Sequence, residues 1–281
     1  MKSQFGGGSW SPKPHLDVEH LLSSKNARDE FQKKLADAGL EISALNASGN
    51  QLHPAEPGND ELTRDVVRVA GELGVETVVL MSGLPAGVPG DQMPNWITTS
   101  WPPETTQMLQ YQWNEVALPY WEGFAKFSTA QGVSKLAVEM HANQLVYNVP
   151  SLLHLRREIG DIVGANFDPS HLMWMGADPL EAVAALSGAI YHVHAKDTRI
   201  EQAAAVRSRL EYLTVDHPLE RSWNYVTVGR GNAVAFWREL ISELQKAGYD
   251  DALSIEHEDA QVSGADGVRE AAATLKAALA D

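Results

Sequence analysis

The 281-residue chain contains no cysteine. Disulfides, thiolate zinc sites and a cysteine nucleophile are therefore excluded, and any metal must be held by oxygen and nitrogen donors. No apolar run approaches the roughly 18 residues of a membrane-spanning helix. No charged start followed by an apolar stretch marks a leader, so a cytoplasmic protein without membrane contact is expected. Positive charge is scarce: 22 Lys and Arg stand against 37 Asp and Glu, a formal net charge of −15. With no basic block, the electrostatic footprint of a nucleic-acid binder is missing.

What is present is ordinary globular material, 44% hydrophobic and 21% charged, enough for a substantial core. The length fits a single domain over residues 1–281, because α/β barrels commonly run to about 250 residues as one unit. Short apolar runs alternate with longer helical patterns. Strands are expected at "EISALNA" (41–47), "ETVVLMSG" (76–83), "KLAVEMH" (135–141), "IVGANFD" (162–168), "AIYHVHAKD" (189–197) and "ALSIEHED" (252–259). Amphipathic stretches at 27–39, 60–74 and 233–248 end at Gly39, Gly74 and Gly248, where helix C-cap glycines belong. Strand and helix in alternation predict a parallel sheet wound by helices. Two connections are long, at 83–104 and 198–232, and in a barrel both would lie on the rim where the strands end. An eight-stranded barrel needs more than these six strands. "SQFGGG" (3–8) reads as the stub of a seventh, so the first strand and helix are expected to be missing or atypical.

Four of these strands, at 135–141, 162–168, 189–197 and 252–259, share a second property: each is apolar until its last residues and then turns ionisable. Side chains alternate across a strand. Glu139 and His141 therefore share a face, as do His192, His194 and Lys196, and as do Ser254, Glu256 and Glu258. Asp168 ends its strand before Pro169, with His171 on the turn beyond. A lone histidine on an apolar strand is usually a satisfied core residue, and His192, a layer deeper than His194, is read as structural or as a support behind the site. Four strand ends doing this together would be costly unless a cation neutralises them. Glu139, Asp168, His194 and Glu256 form a plausible oxygen and nitrogen donor set for Mn²⁺ first, with Mg²⁺, Co²⁺ or Zn²⁺ as alternatives.

"VEMH", "NFDPSHLMWMG", "HVHAKDTR", "TVGRGN" and "SIEHED" occur in the order and at roughly the spacing of the xylose-isomerase-like TIM barrels, the sugar phosphate isomerase/epimerase superfamily. The chain resembles that family from about Gly39 onward. The resemblance implies a (β/α)8 TIM barrel, a metal on the four residues above, and sugar contacts from His171 and Arg199. The pair Glu139 and His141, one residue apart, looks especially like the barrel subunit of bacterial C-glycoside deglycosidases, in which a histidine there acts as base on a 3-oxo-glycoside. A divalent cation in such a site would polarise a sugar carbonyl, and His141, then Glu258, would take the acidified proton near neutral pH. Lys196 would hold a hydroxyl or the resulting anion. Asn46, His53 and Trp113 complete the substrate-binding candidates. Reprotonation makes the enzyme an isomerase or epimerase. Loss of a β leaving group makes it a lyase, the deglycosidase alternative working with a small second subunit. Otherwise a homo-oligomer is expected, acting on a small sugar or glycoside. A nuclease of the endonuclease IV type would want more histidine ligands and a basic groove, which the charge balance does not offer.

Overall fold

A computed structural model describes residues 1–8 and 14–280. The chain forms two compact units, Met1–Asn166 and Phe167–Asp281. In the first, five strands pair in parallel in chain order: β1 (Lys2–Gly6), β2 (Glu41–Asn46), β3 (Thr77–Leu80), β4 (Lys135–Glu139) and β5 (Val163–Phe167), which runs to the boundary. Helices intervene, among them Lys25–Asp37, Gly58–Leu73, Leu118–Ala130 and Val149–Ile159. All four residues of β3 are buried, the continuous apolar run of a strand covered on both faces. The Gly58–Leu73 helix shows why its sequence folds as it does. Val66, Val67, Val69, Ala70 and Leu73 are buried, and Asp60 and Glu61 in its first turn complement the helix dipole. It stops at Gly74, which takes the left-handed conformation at φ 71°. Each fully buried Val or Leu here contributes about 1.5–3 kcal/mol of transfer free energy.

The stub foreseen at 3–8 is β1, five residues long, joined to β2 across a register shift between Ser3 and Gln4. Helices Val18–Ser23 and Lys25–Asp37 follow it. The opening strand and helix are thus present and atypical, not missing; "KSQFG" lacks the apolar run that marks β3, β4 and β5.

In the second unit β6 (Ile190–Ala195) pairs in parallel with β9 (Leu253–Ile255). The segment 198–232, expected as one long connection, holds an antiparallel pair instead: β7 (Asp197–Ile200) with β8 (Trp223–Val226). An excursion separates the partners, so no tight-turn signature announces the hairpin. The Val234–Lys246 helix buries Trp237, Leu240, Ile241 and Leu244, the stripe of a single helix face. No described helix is long and apolar enough to cross a membrane.

Candidate active site

Most of the chemically active groups sit at or just beyond the end of a strand. In the first unit β4 ends on Glu139, which is 3% exposed and accepts a 2.8 Å hydrogen bond from the Asn166 amide. The two residues are register partners across β4 and β5, so the sheet itself presses amide against carboxylate. His141 follows, half-buried, with Nδ1 2.5 Å from the Ala142 carbonyl. A carbonyl only accepts, so this contact puts the proton on Nδ1. Three further candidates lie in the same unit. Asn46 caps the turn after β2 by accepting from Ser48 N at 2.6 Å. His53 Nδ1 accepts from Ala55 N at 3.2 Å. Trp113 packs edge-on against His154, ring centroids 4.5 Å apart.

In the second unit Asp168 begins the Pro169–Met175 helix, its Oδ1 accepting from Ser170 N at 2.8 Å. The helix N-terminus favours that negative charge. The structure gathers around it the residues read as ligands. One donor atom each from Asp168, His194 and Glu256 lies within 4.8 Å of the others. His194 Nδ1 stands 3.2 Å from Glu256 Oε2. Lys196 Nζ lies 3.3 Å from Glu256, 3.1 Å from Glu258 and 4.0 Å from Asp168. His171 Nε2 is 3.3 Å from Asp168 Oδ2. Asp168, His171, His194 and Lys196 are buried, Glu256 is half-buried and Glu258 exposed.

These contacts set the protonation states. Burial alone would lower His171, but the adjoining Asp168 charge and Tyr225 hold it well above the usual imidazole range. Burial likewise opposes the Lys196 charge, yet Glu256, Asp168 and Glu258 together hold it well above an ordinary lysine. Both residues are therefore cationic near neutral pH. His192 turns out as read: its Nε2 lies 2.9 Å from Ser254 Oγ, a tie between β6 and β9.

One participant escaped the sequence reading. Tyr225 places its hydroxyl 2.7 Å from His171 Nδ1 and its ring 4.4 Å from the Lys196 ammonium. The alternation in "WNYV" (223–226) was the available signal. Arg199, on β7 opposite Asn224, pairs with Glu201 at 2.7 Å.

Donors of oxygen and imidazole nitrogen, with no sulfur, suit a hard or borderline divalent ion. A sharper test is Asp168 Oδ2. It is buried and receives no hydrogen bond among the described residues, although His171 stands close. A buried carboxylate oxygen left so is costly and fits a cation's place. The residues fit the metal.

An alternating strand and helix chain with acidic and imidazole groups at its strand ends defines an α/β protein of the barrel class with a metal-type donor set. The chain belongs to the xylose isomerase-like TIM barrel family, which it matches over residues 9–278. It is 47% identical over 274 residues to the uncharacterized protein YfiH of Bacillus subtilis (strain 168), covering 96% of this chain and 88% of that one. Among solved structures it resembles a D-tagatose 3-epimerase-like protein at a TM-score of 0.64, with 21% identity over 99% of this chain and 88% of that one. It also resembles the IOLI protein with a binding zinc atom at a TM-score of 0.61, with 18% identity over 99% of this chain and 98% of that one.

Proposed function

We propose that the protein is a divalent-metal-dependent isomerase or epimerase of a small sugar, working by proton abstraction next to the carbonyl. The observation that carries this reading is the buried Asp168 Oδ2, without a hydrogen bond and within reach of His194 and Glu256. The epimerase-like and zinc-binding relatives in the fold add support. Glu139 is the fourth ligand in this proposal. It ends the strand beside β5, paired in register with Asn166, and Asp168 follows two residues later in the chain.

Mn²⁺ held there, or Mg²⁺, Co²⁺ or Zn²⁺, would act as a Lewis acid on the sugar carbonyl and acidify the neighbouring C–H. His141 takes that proton. With Nδ1 committed to the Ala142 carbonyl, a neutral ring has its lone pair on Nε2. Lys196, wedged between Glu256 and Glu258, donates to the oxygen on which negative charge builds. His171, charged and oriented by Asp168 and Tyr225, holds a hydroxyl, and Glu258 is the second base. Return of the proton on the other face or at the adjoining carbon completes epimerisation or isomerisation.

Solvent deuterium exchange into a keto-sugar, read beside the metal content of the purified protein, tests this. His141→Ala should slow exchange about a thousandfold while metal stays bound, and Glu256→Gln should lose metal and exchange together. Near-full exchange in His141→Ala removes the base assignment. Metal retained at full stoichiometry in Glu256→Gln removes the ligand assignment.

A further inference from the structure

Beside the ligand cluster, the second unit holds a pocket of about 450 Å³, within the range of small-molecule sites. Tyr225 and Glu258 belong to its wall and also touch His171 or Lys196. A ligand whose reacting end meets the cluster would therefore have its far end in this pocket. Three arginines line it: Arg199, Arg221 and Arg230. In a chain of net charge −15 such a grouping needs a cause.

Two of the three have their charge balanced. Arg199 pairs with Glu201 at 2.7 Å and Arg230 with Glu270 at 2.8 Å. Arg221 does not. It is 7% exposed, and its guanidinium donates to the carbonyls of Trp223 and Leu213 and lies 4.8 Å from the Trp223 ring centroid. No carboxylate among the described residues pairs with it. A buried cation with only neutral partners is an unfavourable arrangement, and a forked guanidinium at a pocket wall is built for bidentate capture of an oxyanion. The acidic residues of the wall do not supply that anion. Glu258 is engaged by Lys196. Asp259 accepts from Thr227 N, Thr227 Oγ1 and Gln261 N.

We propose that the pocket seats a carboxylate or phosphate group at the far end of the substrate on Arg221, so that the enzyme acts on an anionic sugar and not on a neutral one. This rests on the isomerase reading only for what happens at the reacting end.

Isothermal titration of the purified protein with D-gluconate, D-glucitol 6-phosphate and neutral D-glucitol tests it. At least one anionic probe should bind about tenfold tighter than D-glucitol, and whichever does so tells carboxylate from phosphate. Arg221→Met should erase that preference, and Arg221→Lys, which keeps the charge without the fork, should retain part of it. Glu256→Gln should keep the preference while losing metal and proton exchange, which separates failure of this site from failure of the isomerase reading. Equal affinity for all three probes in the unaltered protein overturns the proposal even if Arg221→Met does not fold. A folded Arg221→Met that keeps the preference overturns it as well, leaving Arg221 as a clasp on the 213–223 loop.

Discussion

At the scale of single residues, Tyr225 illustrates how one hydroxyl organises a charged neighbourhood. It accepts from Trp174 Nε1 at 3.3 Å and meets His171 Nδ1 at 2.7 Å. A cationic His171 therefore donates from Nδ1 to Tyr225 and faces the Asp168 carboxylate with Nε2 as an ion pair at 3.3 Å. Tyr225→Phe keeps the ring against Lys196 and removes only the oxygen. Stability should fall by about 1 kcal/mol, and turnover by about tenfold as His171 loses its second restraint. Steady-state kinetics beside denaturant melts check this, and unchanged kcat would make the hydroxyl irrelevant to catalysis. The proposed ligand residues drew notice in the sequence because the signal is local: an apolar run that ends in ionisable side chains at alternate positions singles out Glu139, His194 and Glu256 without any knowledge of the fold. Arg221 gave no such signal. Nothing in "LERSWN" (219–224) shows that its guanidinium will be buried without a paired carboxylate, since that depends on where β8 lies.

At the scale of elements, one carboxylate gathers three backbone N–H groups of the turn after β8. Asp197, fully buried at the start of β7, has Oδ2 accepting from Gly229 N, Gly231 N and Asn232 N at 3.0, 3.1 and 2.9 Å. Its Oδ1 accepts from the Asn232 amide at 2.7 Å. The fit requires glycine at 231, where a Cβ would lie 2.6 Å from Thr198 O. Asp197→Ala leaves several part-buried N–H groups without an acceptor and should cost about 3 kcal/mol, read as a lowered urea midpoint at unchanged slope. A loss below about 0.5 kcal/mol would mean that water replaces the carboxylate. The helices and most strands were legible because their periodicities are contained in a dozen residues, as in 60–74. The β7–β8 pair was not, because its two halves speak to each other across Glu201–Ser222 and neither "DTRI" nor "WNYV" is a continuous apolar run.

At the scale of the whole molecule, acidity and the proposed cation are linked. Lys196 and His171 offset part of the negative charge on the proposed ligand carboxylates, and a divalent cation bound there should favour the folded state. At a metal concentration about a hundredfold above Kd the gain is about 2.7 kcal/mol, or roughly 5–10 °C in melting temperature for a protein of this size. Thermal melts with Mn²⁺ against melts in chelator should show that shift, and Glu256→Gln should abolish it. An unaltered protein whose melting ignores both additions would carry no such site.

The hairpin has one further consequence. Four ladder partners, Asp197 with Val226 through Ile200 with Trp223, hold Tyr225 against His171 whatever chain joins them, and the entropy of closing a loop rises only slowly with its length. The stretch carrying Arg221's surroundings can therefore be shortened, lengthened or exchanged by evolution while the reacting end is left alone. A scaffold of this kind can change its diet without relearning its chemistry.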